Sequence, residues 1–269
     1  MIQKINRFLI KILSKCEGKT IPVFHPYNNI KICWDMAHFF FILILLFWIP
    51  IEICFKSEIN FSFKIFTVVF FLCDILISLN TSYFDKGLIV NERKRIIHNY
   101  FETAFVLDVS TVIFYLINFG GYYAFFEMIF FLRWKKIEKI RLKVQEKFKI
   151  GMNLHSSLIE IMNLLFFSFY ILNIFACIWF YIGSQETSPT WLIEKNLQDE
   201  SLTAKYFYSF YWSTVTIMTV GYGDITASNL NEVIFTIFTI FFGCALFAYF
   251  INAVGEIVKD IKNESLILR

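Results

Sequence analysis

Thr219-Val220-Gly221-Tyr222-Gly223-Asp224 lies near the C-terminal end of the 269-residue chain, between two long apolar segments, and its reading decides the rest. Gly221 and Gly223 can adopt positive φ at little steric cost, so a loop that alternates glycine with bulkier residues can alternate its backbone hand. Such alternation stacks successive carbonyls toward one side, and the Thr219 hydroxyl adds a further oxygen at the inner end. A cation can leave its water shell only where replacement oxygens of this kind are offered. A Gly-Tyr-Gly turn can also close a β-hairpin. The apolar flanks, and the aromatic and Thr-rich run from Phe210 to Met218 before it, argue instead for a loop at the end of a short helix.

The composition supplies the environment. With 57% hydrophobic residues, 35 Phe, 17% charged residues and a mean hydropathy of +0.59, the chain has more apolar surface than one soluble core could bury. The expected fold is an all-α membrane protein. None of the six cysteines forms a CxxC pair, and Cys54, Cys73, Cys177 and Cys244 sit in or beside apolar runs as small hydrophobes, so no disulfide framework is expected. No cofactor, catalytic residue or nucleic-acid partner is expected, and the chain is read as no enzyme.

Working outward, residues 1–30 form a basic N-terminal segment in which Lys4, Arg7, Lys11, Lys15 and Lys19 alternate with apolar residues at helical spacing. This suits an anionic membrane surface, or a solvated helix docked on its own protein. Spans are predicted at about Trp34 to Phe55, Phe61 to Ser82, Phe101 to Asn118, Tyr122 to Lys139, Leu154 to Ile182 and Leu230 to Val258. Thr203 to Met218 is too short to span and is predicted to re-enter, which is tolerated at membrane depth only inside protein or beside a water cavity. The layout is six transmembrane helices with a re-entrant pore helix and filter loop between the fifth and sixth. Residues 31–150 would make a four-helix sensor-like domain, and 151–269 a pore domain. The basic loop holding Arg93, Lys94 and Arg95 places both termini in the cytoplasm. The loop holding Glu186, Glu194, Asp199 and Glu200 would lie outside, either as a cation-attracting mouth or as a merely solvated loop.

TVGYG is the filter run of potassium channels, in which four loops supply rings of carbonyls in place of the hydration shell. The chain resembles the voltage-gated-type cation channel superfamily, in particular the branch of ether-à-go-go, plant inward-rectifier and cyclic-nucleotide-gated channels. The stretch Asp74 to Gly87 (DILISLNTSYFDKG), Arg93-Lys94 and Asn99-Tyr100 are similar to that branch's second span and following loop. Asn173 to Gly183 (NIFACIWFYIG) is similar to its fifth span, and the likeness covers about residues 31–260. Thr219 before Val-Gly-Tyr-Gly is similar to the potassium-selective members. The resemblance implies K+ held by the carbonyls of Thr219, Val220, Gly221 and Tyr222 and by the Thr219 hydroxyl. K+ is then the permeant ion, and four copies are needed to close the ring.

Trp212 is expected to brace the filter through its indole N–H and Tyr222. Arg133, Lys136 and Lys139 recur every third residue as a sensor stripe does, whereas Phe130, Glu127 and Ala124, which would continue it outward, carry no positive charge. Phe71 with Asp74 resembles the charge-transfer site of span two, and Asp108 the acidic residue of span three. Three charges in each of four subunits would yield at most about 28 kcal/mol per 100 mV, and with Lys136 and Lys139 already in the cytoplasm about a third of that is left, so voltage dependence is expected to be shallow or absent. A static salt-bridged bundle is the alternative for the same residues. In span six Gly243 is a candidate hinge, Phe250 and Val254 a candidate hydrophobic constriction, and Gly255 a place where helices approach. Members of this branch continue into a cyclic-nucleotide-binding domain, and this sequence ends at Arg269, so no cyclic-nucleotide control is read into it.

The expected function is a potassium-selective channel subunit that works as a homotetramer, or as a heterotetramer with related subunits, among membrane lipids. It would reside in a plasma or ciliary membrane. The alternatives are a weakly selective cation channel, or a non-conducting regulatory or scaffold subunit of a heteromeric channel.

Overall fold

A computed structural model describes residues 23–56, 61–85, 88–117, 156–185 and 189–267. The basic N-terminal helix expected within residues 1–20, and the fourth span with Arg133, Lys136 and Lys139, lie outside the described residues. The chain divides into two compact units, Met1–Leu46 with Glu58–Glu146 and Phe47–Ser57 with Lys147–Arg269.

In the first unit, α1 (Asn29–Phe55) opens where the Asn28 side chain accepts the Ile30 N–H at 3.1 Å. One turn in, Lys31 and Asp35 pair at 2.6 Å, which lets both stay buried in an apolar helix. The helix α2 (Phe61–Leu79) ends three residues before the expected limit of its span. There the Thr81 hydroxyl turns back to the Ile77 carbonyl at 2.6 Å, and the Ser82 N–H leaves the helix to bond the Phe24 carbonyl at 3.0 Å.

The following loop holds an antiparallel pair, β1 (Tyr83–Asp85) and β2 (Leu88–Val90), in the register Tyr83↔Val90 and Asp85↔Leu88. It has no counterpart in the expected layout, because strands of three residues carry too little periodicity to read. The expected third span is likewise two helices, α3 (Arg93–Thr103) and α4 (Phe105–Ile117). The backbone breaks at Ala104 (φ −131°, ψ −24°), whose N–H closes on the Tyr100 carbonyl at 3.0 Å. Phe101 therefore belongs to the amphipathic helix that precedes the span.

In the second unit, α5 (Ser156–Gly183), the single turn α6 (Trp191–Glu194), α7 (Leu202–Ile217) and α8 (Leu230–Ile267) follow in order. Helices α5, α7 and α8 pack on one another. The last turns of α1 join them through Phe55, whose ring stacks on Phe180 at 3.7 Å and 4° from parallel. Helix α8 continues nine residues past the expected end of its span, since Lys259 and Lys262 are good helix formers once clear of the apolar run. Among the described residues, Asn29–Phe55, Phe61–Leu79, Glu160–Gly183 and Leu230–Lys259 are long and apolar enough to cross a bilayer. Their outer faces expose large side chains such as Phe40, Phe66 and Phe241, as lipid-facing surfaces do.

Candidate functional site

Helix α7 ends in the Thr219–Asp224 loop. Its start is capped by the Ser201 hydroxyl, which accepts the Ala204 N–H at 3.2 Å. Ser213, fully buried, fixes α7 to α5 by donating to the Leu172 carbonyl at 2.9 Å. Asn173 adds a second tie: its side chain accepts from the Tyr206 hydroxyl at 2.8 Å and donates to the Phe47 carbonyl at 3.1 Å.

At the end of α7, φ is +58° at Thr219, +61° at Gly221 and +73° at Gly223, while Val220 and Tyr222 stay on the ordinary side. The left-handed angle recurs every second residue. Alternation of this kind turns successive peptide planes alike, with N–H groups to one side and carbonyls to the other. The N–H side faces the helix, since the Val220 and Gly221 N–H groups both donate to the Val215 carbonyl at 2.9 and 3.2 Å. The carbonyls therefore face away. Among the described residues no donor meets the carbonyls of Thr219 to Gly223. The loop is exposed in the single chain, with Tyr222 at 72% and Val220 at 52%.

Trp212 is buried and stacks on Trp179 with centroids 3.7 Å apart, and Trp179 stacks in turn on Trp191 at 5.8 Å. Within one chain no hydrogen bond joins Trp212 to the exposed Tyr222, so the two residues expected to pair are not brought together. At the outer end of the loop, the Tyr211 phenol lies beside the Asp224 carboxylate.

Gly243 of α8 lies against the last turn of α7. A Cβ there would stand 3.1 Å from the Ile217 Cα and 3.3 Å from its carbonyl oxygen, so glycine is demanded by close approach. Helix α8 runs unbroken through it. Phe250 packs on the cluster of Ile171, Leu172, Phe175, Ile217 and Leu246, whereas Val254 is exposed and Gly255 has open space around it.

The first unit holds the acidic residues. Asp74 is buried and accepts the Trp34 indole N–H at 3.2 Å, with His38 Nε2 3.4 Å from its other oxygen. Phe71, fully buried, meets the His38 ring edge-on at 5.8 Å. Asp108, equally buried, accepts from the Tyr100 hydroxyl at 2.8 Å. Each carboxylate thus has partners on the helices that precede it. The pairing expected between these acids and Arg133, Lys136 or Lys139 involves cations outside the described residues.

Sequence reasoning missed the Thr219 backbone angle, the Val215 carbonyl, Trp179 and Trp191. The left-handed angle at Thr219 is hidden because a β-branched residue disfavours it. The Val215 carbonyl is backbone and leaves no mark in sequence. Trp179 and Trp191 were legible only as aromatic residues near span ends.

The profile of a family described as ion transport protein matches residues 31–266. The chain is 27% identical over 250 residues to potassium channel AKT1 of Arabidopsis thaliana, covering 88% of this chain and 28% of that one. Against potassium channel KAT3 of rice (Oryza sativa subsp. japonica) it is 28% identical over 250 residues, covering 87% and 49%. Against potassium channel AKT2 of rice it is 27% identical over 262 residues, covering 88% and 30%. The chain spans about a quarter to a half of the length of these relatives.

Proposed function

Because this chain belongs to the ion transport protein family, a multi-pass membrane family and not an enzyme family, we propose that it is a potassium-selective channel subunit. The observation that carries the proposal is the period-two recurrence of left-handed φ at Thr219, Gly221 and Gly223. With the loop N–H groups turned back on Val215, the carbonyls are left without donors. Unpaired carbonyls are costly to bury. A dehydrated cation is the partner that such a column suits, and K+ is the cation that the same run serves in channels. One loop makes one wall, so the working unit is a tetramer, of this chain alone or with related subunits. K+ is its permeant ion, it needs no cofactor, and lipid is its other partner.

Residues 31–150 form the sensor-like domain and 151–269 the pore domain. Voltage dependence is shallow or absent, since only Arg133, Lys136 and Lys139 form the stripe. Trp212 and its stack support the filter, Gly243 is the hinge, and Phe250, Val254 and Gly255 form the gate region. Both termini lie in the cytoplasm of a plasma or ciliary membrane, the basic loop at Arg93 to Arg95 fixing the side. A cysteine introduced at Asn91 should then react with an impermeant reagent only from the cytoplasmic face. Labelling from outside would reverse the topology.

Reconstitution of the purified chain in asymmetric potassium and sodium tests the function. Conduction with a reversal potential that follows K+ is expected. A reversal potential indifferent to replacement of K+ by Na+ would mean a weakly selective cation channel, and no conduction would mean a regulatory or scaffold subunit.

A further inference from the structure

We propose that the Glu232 carboxylate is the latch of the filter's outer end, a positioning residue that keeps Thr219 to Gly223 in the conducting form. The proposal rests on the channel reading above. Glu232 lies in the first turn of α8 and is fully buried. A buried carboxylate is tolerated where its oxygens are used, and here both are. Oε1 accepts the Trp191 backbone N–H at 3.2 Å, and Oε2 accepts the Ser228 N–H at 2.8 Å. Asn229 works beside it, accepting the Glu232 N–H at 2.9 Å and donating to the Pro189 carbonyl at 3.1 Å. The segment leading into the pore helix, Pro189 to Trp191, is thus tied to the segment leaving the filter, Ser228 to Glu232.

Part of this is ordinary helix capping: Asn229 and Glu232 stand three apart, as in a capping box, directly before an apolar run. The departure is where the carboxylate goes. It reaches past Asn229 to Ser228, and its second oxygen leaves the helix for Trp191, a bond that does nothing for α8. Trp191 donates its indole N–H to the Trp179 carbonyl at 3.4 Å and stacks on Trp179, which stacks on Trp212 of the pore helix. Ile225, the residue after Asp224, is buried in the same aromatic cluster.

The filter carbonyls receive no donor among the described residues, so the loop takes its shape from its two ends. The inner end is held by Val215. The outer end is held by Ile225 in the tryptophan cluster and by Glu232 on Ser228, and Glu232 also fixes Trp191 within that cluster. Only a carboxylate suits the position: it accepts through both oxygens, whereas a glutamine amide would set an NH2 donor against one of the two N–H groups.

The test uses the full chain, as wild type, as Glu232→Gln, and with the amide at residue 228 replaced by an ester, which deletes the Ser228 N–H and leaves every side chain in place. The quantity read is the rate at which K+ current is lost during sustained opening, at low and at high external K+. Losing one charge-assisted hydrogen bond should speed that loss about tenfold in both variants. High external K+ should slow it again, because ions bound in the filter stabilise the conducting form by mass action. A loss of folded protein alone would lower the current at the start of opening and not the rate of its decay. Wild-type decay in conducting variants would overturn the latch and leave the channel reading intact, whereas a wild type that never conducts would overturn both. If Glu232→Gln fails to assemble, the ester decides by itself.

Discussion

Trp212 of the pore helix lies face to face on Trp179 of α5, their ring centroids 3.7 Å apart and their planes 5° from parallel. The contact is apolar and internal to one chain, so it holds the pore helix through area and shape. Trp212→Phe should keep the fold and lose about 1 kcal/mol per chain, while Trp212→Ala should lose about 3–5 kcal/mol. Thermal unfolding of the purified protein reads both. Equal losses in the two variants would mean that a phenyl ring recovers none of the contact, and that buried area alone does not hold the helix.

Gly221→Ala isolates backbone angle from space. A Cβ at Gly221 meets nothing within 4 Å in the chain, yet φ is +61°, which costs an L-residue roughly 1–2 kcal/mol. Potassium conduction should be abolished while surface expression is retained. A D-alanine at the same position, introduced by semisynthesis, should conduct, because its preferred φ is positive. Failure of the D-residue would show that room, and not angle, is limiting.

Gly243→Ala tests the opposite case. The added carbon would stand 3.1 Å from the Ile217 Cα, a backbone atom that cannot swing aside, so α8 must move away from α7 at a cost of about 1–3 kcal/mol. Gly255→Ala has open space in the chain and should leave folding unchanged. Melting curves of the two variants compared with wild type decide this, and equal shifts would contradict the packing.

Arg133 is the first positive charge of its stripe in the sequence, and on the proposed topology the membrane field should act through it most. Arg133→Gln should reduce the slope of any conductance–voltage curve, and Lys143→Gln, placed outside the field, should not. Equal slopes in wild type and Arg133→Gln would make the first unit a structural bundle.

The sequence determined the solvent and the six-helix layout, because long apolar runs act through transfer free energies that need no tertiary contact. The backbone of the Thr219 to Asp224 loop was legible for a similar reason: glycine's tolerance of positive φ is local, and Gly221 and Gly223 adopt it. The break at Ala104 and the short pair at Tyr83–Asp85 escaped, since each turns on a few backbone bonds that leave no periodic pattern. What only the tertiary structure decided is which groups meet across the chain. Val215 holds two filter N–H groups, Trp179 meets Trp212, Gly243 touches Ile217, and Glu232 reaches Trp191 from 41 residues away. Sequence spacing cannot carry those pairings, because close packing and hydrogen-bond geometry are settled by atoms that approach each other only once the helices have assembled.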